Sequence, residues 1–145
     1  MDVSLVDLEV KGDKRGSLIA LEDGINTPFE IKRCYYIYNT QKDVRRGFHA
    51  HKKLQQLAVC VSGSCSFYLD DGTSTKDIIL DSPEKGLLLK GLIWREMYNF
   101  SDDCVLMVLA DELYDESDYV RNYHDFQIMI QEKMESKNAE SCSIS

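Results

Sequence analysis

Proline is nearly absent from this chain: only Pro28 and Pro83 occur in 145 residues. No proline-rich linker separates one part from another, and the length suits one domain with a real core. Long apolar runs are missing too. None approaches the ~20 residues that a membrane span requires. The stretch from Met1 to Val10 has no basic segment followed by an apolar one, so we expect no secretory signal and a cytoplasmic location. Paired cysteine motifs are absent. Cys34, Cys60, Cys65, Cys104 and Cys142 are scattered and odd in number, which argues against a disulfide framework or a zinc knuckle. They read as small buried side chains of a reducing compartment. Excess positive charge is lacking as well: the net charge is −8, which disfavours binding to nucleic acid.

The charge that is present is uneven. Between Lys32 and Lys53 stand seven basic residues and one acidic, Asp43, so this window carries +6 and the rest of the chain −14. A basic island in an acidic protein suggests a local anion site. Lys32, Lys42 and Lys53 themselves read as ordinary solvated lysines.

Apolar patterning points to an all-β domain. Turn signals arrive every 8 to 12 residues through about residue 115. In Phe29–Tyr38 alternate residues put Arg33, Tyr35 and Ile37 on one face and Cys34, Tyr36 and Tyr38 on the other. Leu54–Val61 reads as a buried strand, and Asp70-Asp71-Gly72 as a hairpin turn. Glycine and proline then disappear from Ser117 to Met134, where Tyr119, Tyr123, Phe126, Ile130 and Met134 recur at helical spacing. We therefore expect a single domain over 1–135, closed by a helix over 117–134, with a flexible tail over 136–145.

Two of the three histidines, His49 and His51, stand two apart after Arg46-Gly47-Phe48. On a strand both point to one face. Such a pair either binds a metal or passes protons. His124, in the helical stretch, reads as exposed and structural.

Gly47-x-His49-x-His51 among short strands resembles the first cupin motif, and so implies a small jelly-roll β-barrel. The motif's glutamate position falls at Gln55 or Gln56, and the second motif's histidine position at Trp94. Both substitutes bind divalent metal poorly. We therefore expect neither metal nor cofactor, and acid–base use of the histidines.

The resemblance narrows with Arg15-Gly16-Ser17-Leu18, Pro28 through Ile37, Arg46 through Lys52, Asp70-Asp71-Gly72, Trp94-Arg95-Glu96-Met97 and Asp118-Tyr119-Val120-Arg121. In that order these strings are similar to the dTDP-sugar 3,4-ketoisomerases, metal-independent cupin dimers. Arg95 is a departure, since some members carry histidine there. The resemblance implies conversion of dTDP-4-keto-6-deoxyglucose to its 3-keto isomer, for later amination at C3. It implies His49, His51 and Tyr35 as the catalytic groups, with His49 the principal base; a one-residue slip would exchange Tyr35 for Tyr36. Arg15, Arg33, Arg46 and Lys52 are the expected ligands of the dTDP-linked substrate, with Trp94 stacking on its sugar or base. Tyr114 and Arg121 read as packing and surface groups. A sugar 3,5-epimerase of related type and a non-catalytic nucleotide-sugar-binding cupin are the alternatives. The partner expected is a second copy, because Ser4–Val10 shows no hairpin mate and a swapped strand would satisfy its backbone.

Overall fold

The computed structural model describes residues 1–143. Twelve strands precede one helix. They are β1 (Val3–Asp7), β2 (Lys11–Asp13), β3 (Gly16–Leu18), β4 (Arg33–Tyr38), β5 (Arg46–His51), β6 (Gln56–Ser62), β7 (Cys65–Asp70), β8 (Thr75–Leu80), β9 (Lys85–Leu89), β10 (Trp94–Tyr98), β11 (Val105–Ala110) and β12 (Tyr119–Val120). Helix α1 spans Tyr123–Ser143. One five-stranded sheet runs β1-β9-β6-β11-β4 and faces another, β12-β5-β10-β7-β8; β2 and β3 form a separate hairpin. All pairings are antiparallel, as a cupin jelly roll requires.

The apolar runs explain the layering. Residues of one strand alternate between faces. In β6, Ala58 and Cys60 enter the core between the sheets, while Leu57 and Val59 face outward. That outer face is covered by Ile19, Leu21, Phe29 and Ile31 from the chain before β4. A strand buried on both sides therefore reads as a continuous apolar run. Three of the expected core cysteines do lie there: Cys60, Cys65 and Cys104 meet sulfur to sulfur, while Cys34 is exposed. Cys142 is outside the described side chains.

Two expectations change. The helix begins at Tyr123, not Ser117, because Glu116–Asp118 forms a 3₁₀ turn capped by Asp115 and Tyr119 pairs in β12. It also continues through Ser136–Ser143, where a flexible tail was expected; no glycine or proline interrupts that stretch. Residues 144–145 lie outside the described residues. Only the first turns of α1 dock, through Phe126, Met129 and Ile130 on Trp94 and Val120. The other change concerns β1. It pairs with β9 of its own chain, Val3 opposite Leu89, so its backbone needs no exchanged partner.

Candidate active site

The two histidines owe their direction to a bulge. Gly47 (φ +97°) and Phe48 (φ +52°) both adopt left-handed backbone, and the β5–β10 register jumps there: Arg95 pairs with His49, Glu96 with Gly47. Phe48 is left over and exposed. A bulge of this kind re-aims the residues that follow it. A Cβ on Gly47 would lie 3.0 Å from the Arg95 carbonyl oxygen, so close approach as well as φ calls for glycine.

His49 and His51 then share a face, ring centroids 4.8 Å apart and edge to face. Tyr119 of β12 packs on both, at 5.1 and 4.4 Å. His51 is only 1% exposed. Its Nδ1 lies 3.1 Å from Asp118 Oδ2. The Nδ1 of His49 and the Nε2 of His51 are buried and have no hydrogen-bond partner among the described residues.

Across the strand pair, Arg95 is buried and donates to Gln56 Oε1 at 2.5 Å and to the Ile93 carbonyl at 3.0 Å. The same Gln56 donates through Nε2 to the Tyr35 hydroxyl oxygen at 3.1 Å. Arg33 stands over the Tyr35 ring at 5.4 Å. Tyr35 thus faces the site, whereas Tyr36 is 64% exposed on the opposite face.

Two cavities open at this end, and Arg33 and Tyr119 line both. One, of about 400 Å³, reaches His49 and Tyr35 and carries Arg33, Arg46 and Arg121 with no carboxylate among its lining residues. The other, of about 570 Å³, reaches His51 and mixes Lys32 and Lys53 with Asp111, Glu112, Asp115 and Asp118. Arg121 is paired with Glu116 at 2.6 and 2.9 Å, whereas Arg33 and Arg46 have no carboxylate partner among the described residues, and these two cations favour an anion in the first.

Electrostatics set the protonation. Burial, then the Arg95 charge, pushes His49 down to about 4. The same two causes, with His49 added, push His51 down to about 2. Both are neutral bases at pH 7. Burial raises Tyr35 above its ordinary value, so it stays a phenol. Burial lowers Arg95 to about 10, which leaves it charged. A divalent metal does not fit here. Gln56 spends both ends of its amide on Arg95 and Tyr35, and Arg95 already supplies a fixed positive charge.

Of the expected residues, the structure gathers His49, His51, Tyr35, Arg33 and Arg46. It does not gather three others. Trp94 is 3% exposed and packs on the far side of its sheet against Tyr123 and Phe126, with Nε1 donating to Glu96. The inward place belongs to Arg95, one residue on. Lys52, in the bend after β5, lines neither cavity, while Lys53 lines the larger one. Arg15 sits at the β2–β3 hairpin, its exposed side chain paired with Asp13 at 2.5 Å. Arg95, Gln56, Asp118, Tyr119 and Arg121 are the residues the sequence reading missed. Arg95 is placed by its register opposite His49 across β5–β10, which no local pattern carries, and no local signal marks Asp118.

A family model described as FdtA, WxcM-like, C-terminal matches residues 1–131. A curated relative, the TDP-4-oxo-6-deoxy-alpha-D-glucose-3,4-oxoisomerase of Aneurinibacillus thermoaerophilus, is 50% identical over 127 residues, 88% of this chain and 91% of its own. Among solved structures, a 3,4-ketoisomerase from Helicobacter canadensis superposes with a TM-score of 0.87 at 48% identity, covering 90% of this chain and 98% of that one. A sugar 3,4-ketoisomerase from Thermoanaerobacterium thermosaccharolyticum, solved with TDP, gives 0.88 at 43% identity over 91% and 96%. A variant of that enzyme was solved with TDP-4-keto-6-deoxyglucose. By matched length, identity and superposed fold together, this chain belongs to the FdtA family of sugar 3,4-ketoisomerases.

Proposed function

We propose that this chain moves the keto group of dTDP-4-keto-6-deoxyglucose from C4 to C3 by enediol chemistry, with His49, His51 and Tyr35 as its catalytic groups. The observation that carries the reading is two neutral imidazoles with ring centroids 4.8 Å apart, His49 lining the arginine-lined cavity and His51 the neighbouring one, beside a phenol held by Gln56. The relatives that hold TDP and the TDP-keto-sugar support the choice of substrate.

The C3 hydrogen is acidic because the C4 ketone stabilises the resulting anion. His49 takes that proton, and the electron pair becomes the C3=C4 bond of an enediolate. Tyr35 donates a hydrogen bond to the C4 oxygen as its charge grows, and buried Arg95 offsets that charge. His51 accepts the proton of the C3 hydroxyl and delivers it to the adjacent C4 oxygen. His49 then returns a proton at C4. One hydrogen leaves C3 and one its oxygen; one arrives at C4 and one at its oxygen. Arg33 and Arg46 bind the diphosphate, while Arg121 lines the same cavity paired with Glu116. Neither Lys52 nor Trp94 touches the substrate.

The functional unit is a homodimer. Tyr36 and Tyr38 stand exposed on β4, at the edge of its sheet, and the β2–β3 hairpin carries exposed Leu18. Such apolar groups suit a contact between copies. Light scattering at micromolar concentration should give twice the chain mass; a monomer would refute the pairing.

Proton NMR with dTDP-4-keto-6-deoxyglucose in deuterium oxide tests the reaction. A 3-keto product deuterated at C4, absent with His49→Asn, is expected. Exchange at C3 or C5 with the 4-ketone retained would make the chain an epimerase, and no exchange would remove the assignment.

A further inference from the structure

Asp118 belongs to none of the catalytic groups above, yet its carboxylate meets three partners, His51 among them. Oδ1 accepts the Lys53 backbone N–H at 2.8 Å. Oδ2 accepts the Leu54 backbone N–H at 3.3 Å and faces His51 Nδ1 at 3.1 Å. Its backbone carbonyl accepts Lys52 N–H at 3.0 Å. The segment around it is fixed from both sides. Asp115 caps the 3₁₀ turn that ends at Asp118, and the next residue, Tyr119, is the register partner of His51.

We infer that Asp118 is a positioning residue: it holds His51 in the tautomer with hydrogen on Nδ1 and a free lone pair on Nε2. The inference rests on the ketoisomerase reading and deepens it. An ionised carboxylate can only accept, so the imidazole nitrogen beside it must be the donor. The hydrogen bond at one ring nitrogen decides what the other can do. In the opposite tautomer two lone pairs would face each other at 3.1 Å, and a buried N–H at Nε2 would lack any acceptor among the described residues. The ring cannot swing out to escape this. It is 1% exposed and is wedged by His49 and Tyr119 in edge-to-face contact.

The consequence falls on one step, the transfer between the C3 and C4 oxygens. Only Nε2 with a lone pair can accept the hydroxyl proton. When it does, the imidazolium lies beside the Asp118 carboxylate, which offsets the repulsion that Arg95 exerts on that charge. Without Asp118 no acceptor would hold the hydrogen on Nδ1, and the tautomer that leaves Nε2 an acceptor would lose its preference.

Two measurements test this. In ¹⁵N-labelled intact protein, long-range ¹⁵N–¹H spectra, with His51 assigned by difference against His51→Asn, should show hydrogen on Nδ1 and a bare Nε2. Asp118→Asn keeps one oxygen for the Lys53 N–H and turns an amide N–H₂ toward Nδ1. It should flip the tautomer and lower kcat by about 10²-fold or more, with KM within about threefold. A wild-type His51 protonated at Nε2 overturns the proposal. So does an Asp118→Asn enzyme that keeps its kcat, or one that changes KM alone. If that variant does not fold, the wild-type spectrum decides. If the wild-type protein shows the Nδ1–H tautomer but no isomerisation, the reaction assignment falls and the tautomer assignment stands.

Discussion

Arg95 lies directly across the β5–β10 strand pair from His49, a buried guanidinium opposite a half-buried imidazole. Burial first and this cation second keep both histidines neutral. The acid limb of kcat/KM should therefore fall near pH 4, where His49 titrates, and not near the ~6.5 of a free imidazole. Arg95→Met removes a charge that lowers both histidines, so the limb must move to higher pH. An unchanged or lower limb in Arg95→Met would show that the guanidinium does not act on the pair.

The same shifts bear on stability. Below pH 6.5 the unfolded chain protonates each histidine, whereas the fold resists until about 4 for His49 and about 2 for His51. The unfolded state binds more protons in that window, so stability is full above pH 6.5 and falls as pH drops. The slope is at most about 1.4 kcal/mol per pH unit for each histidine. Urea midpoints between pH 7 and 4.5 should show it, and His51→Asn should flatten it. A midpoint that is constant over that range would contradict the depressed values.

How much of this was legible in the sequence depends on the length scale of the signal. The strands were legible because Ala58 and Cys60 alternate with Leu57 and Val59, and both faces are covered. The histidine pair was legible from its i, i+2 spacing, and Tyr35 from the family resemblance, with the β4 register deciding it over Tyr36. Trp94 was placed at the second-motif position and Arg95 read only as a departure, because the register that sets Arg95 across from His49 is not visible within either strand alone. Asp118 was not legible at all. It meets His51 across 67 positions of chain, through a two-residue strand too short to leave a pattern. The helix start was misplaced because Tyr119 fits the stripe of α1 while its backbone belongs to β12.

The bulge at Gly47 makes its own prediction. In Gly47→Ala the new Cβ meets the Arg95 carbonyl oxygen at 3.0 Å, at a φ of +97° that alanine rarely adopts. The Met97 Cε at 3.2 Å can move aside, but the Arg95 oxygen and the Glu96 Cα at 3.3 Å are backbone, so β5 must shift and carry His49 with it. We expect a loss of about 1–3 kcal/mol in stability and a fall in kcat. A variant with wild-type thermal midpoint and kcat would mean that the bulge does not aim the histidines.

Arg46 and Lys52 are six residues apart in one basic island, yet the fold separates their roles, and Trp94 provides a third case. Arg46 lines the cavity that holds no carboxylate; Lys52 lines none; Trp94 is sealed under α1. Arg46→Ala should therefore raise KM for the dTDP-sugar about tenfold, the loss of one exposed charged contact, with little change in kcat. Lys52→Ala should leave both constants near wild type. Trp94→Ala should cost about 3–5 kcal/mol of stability, and whatever fraction stays folded should bind substrate with unchanged KM. Steady-state kinetics and thermal melts on the three variants separate these outcomes. A KM effect confined to Lys52→Ala or Trp94→Ala would place the substrate on the other side of β5, and the arginine-lined cavity would have to be given up.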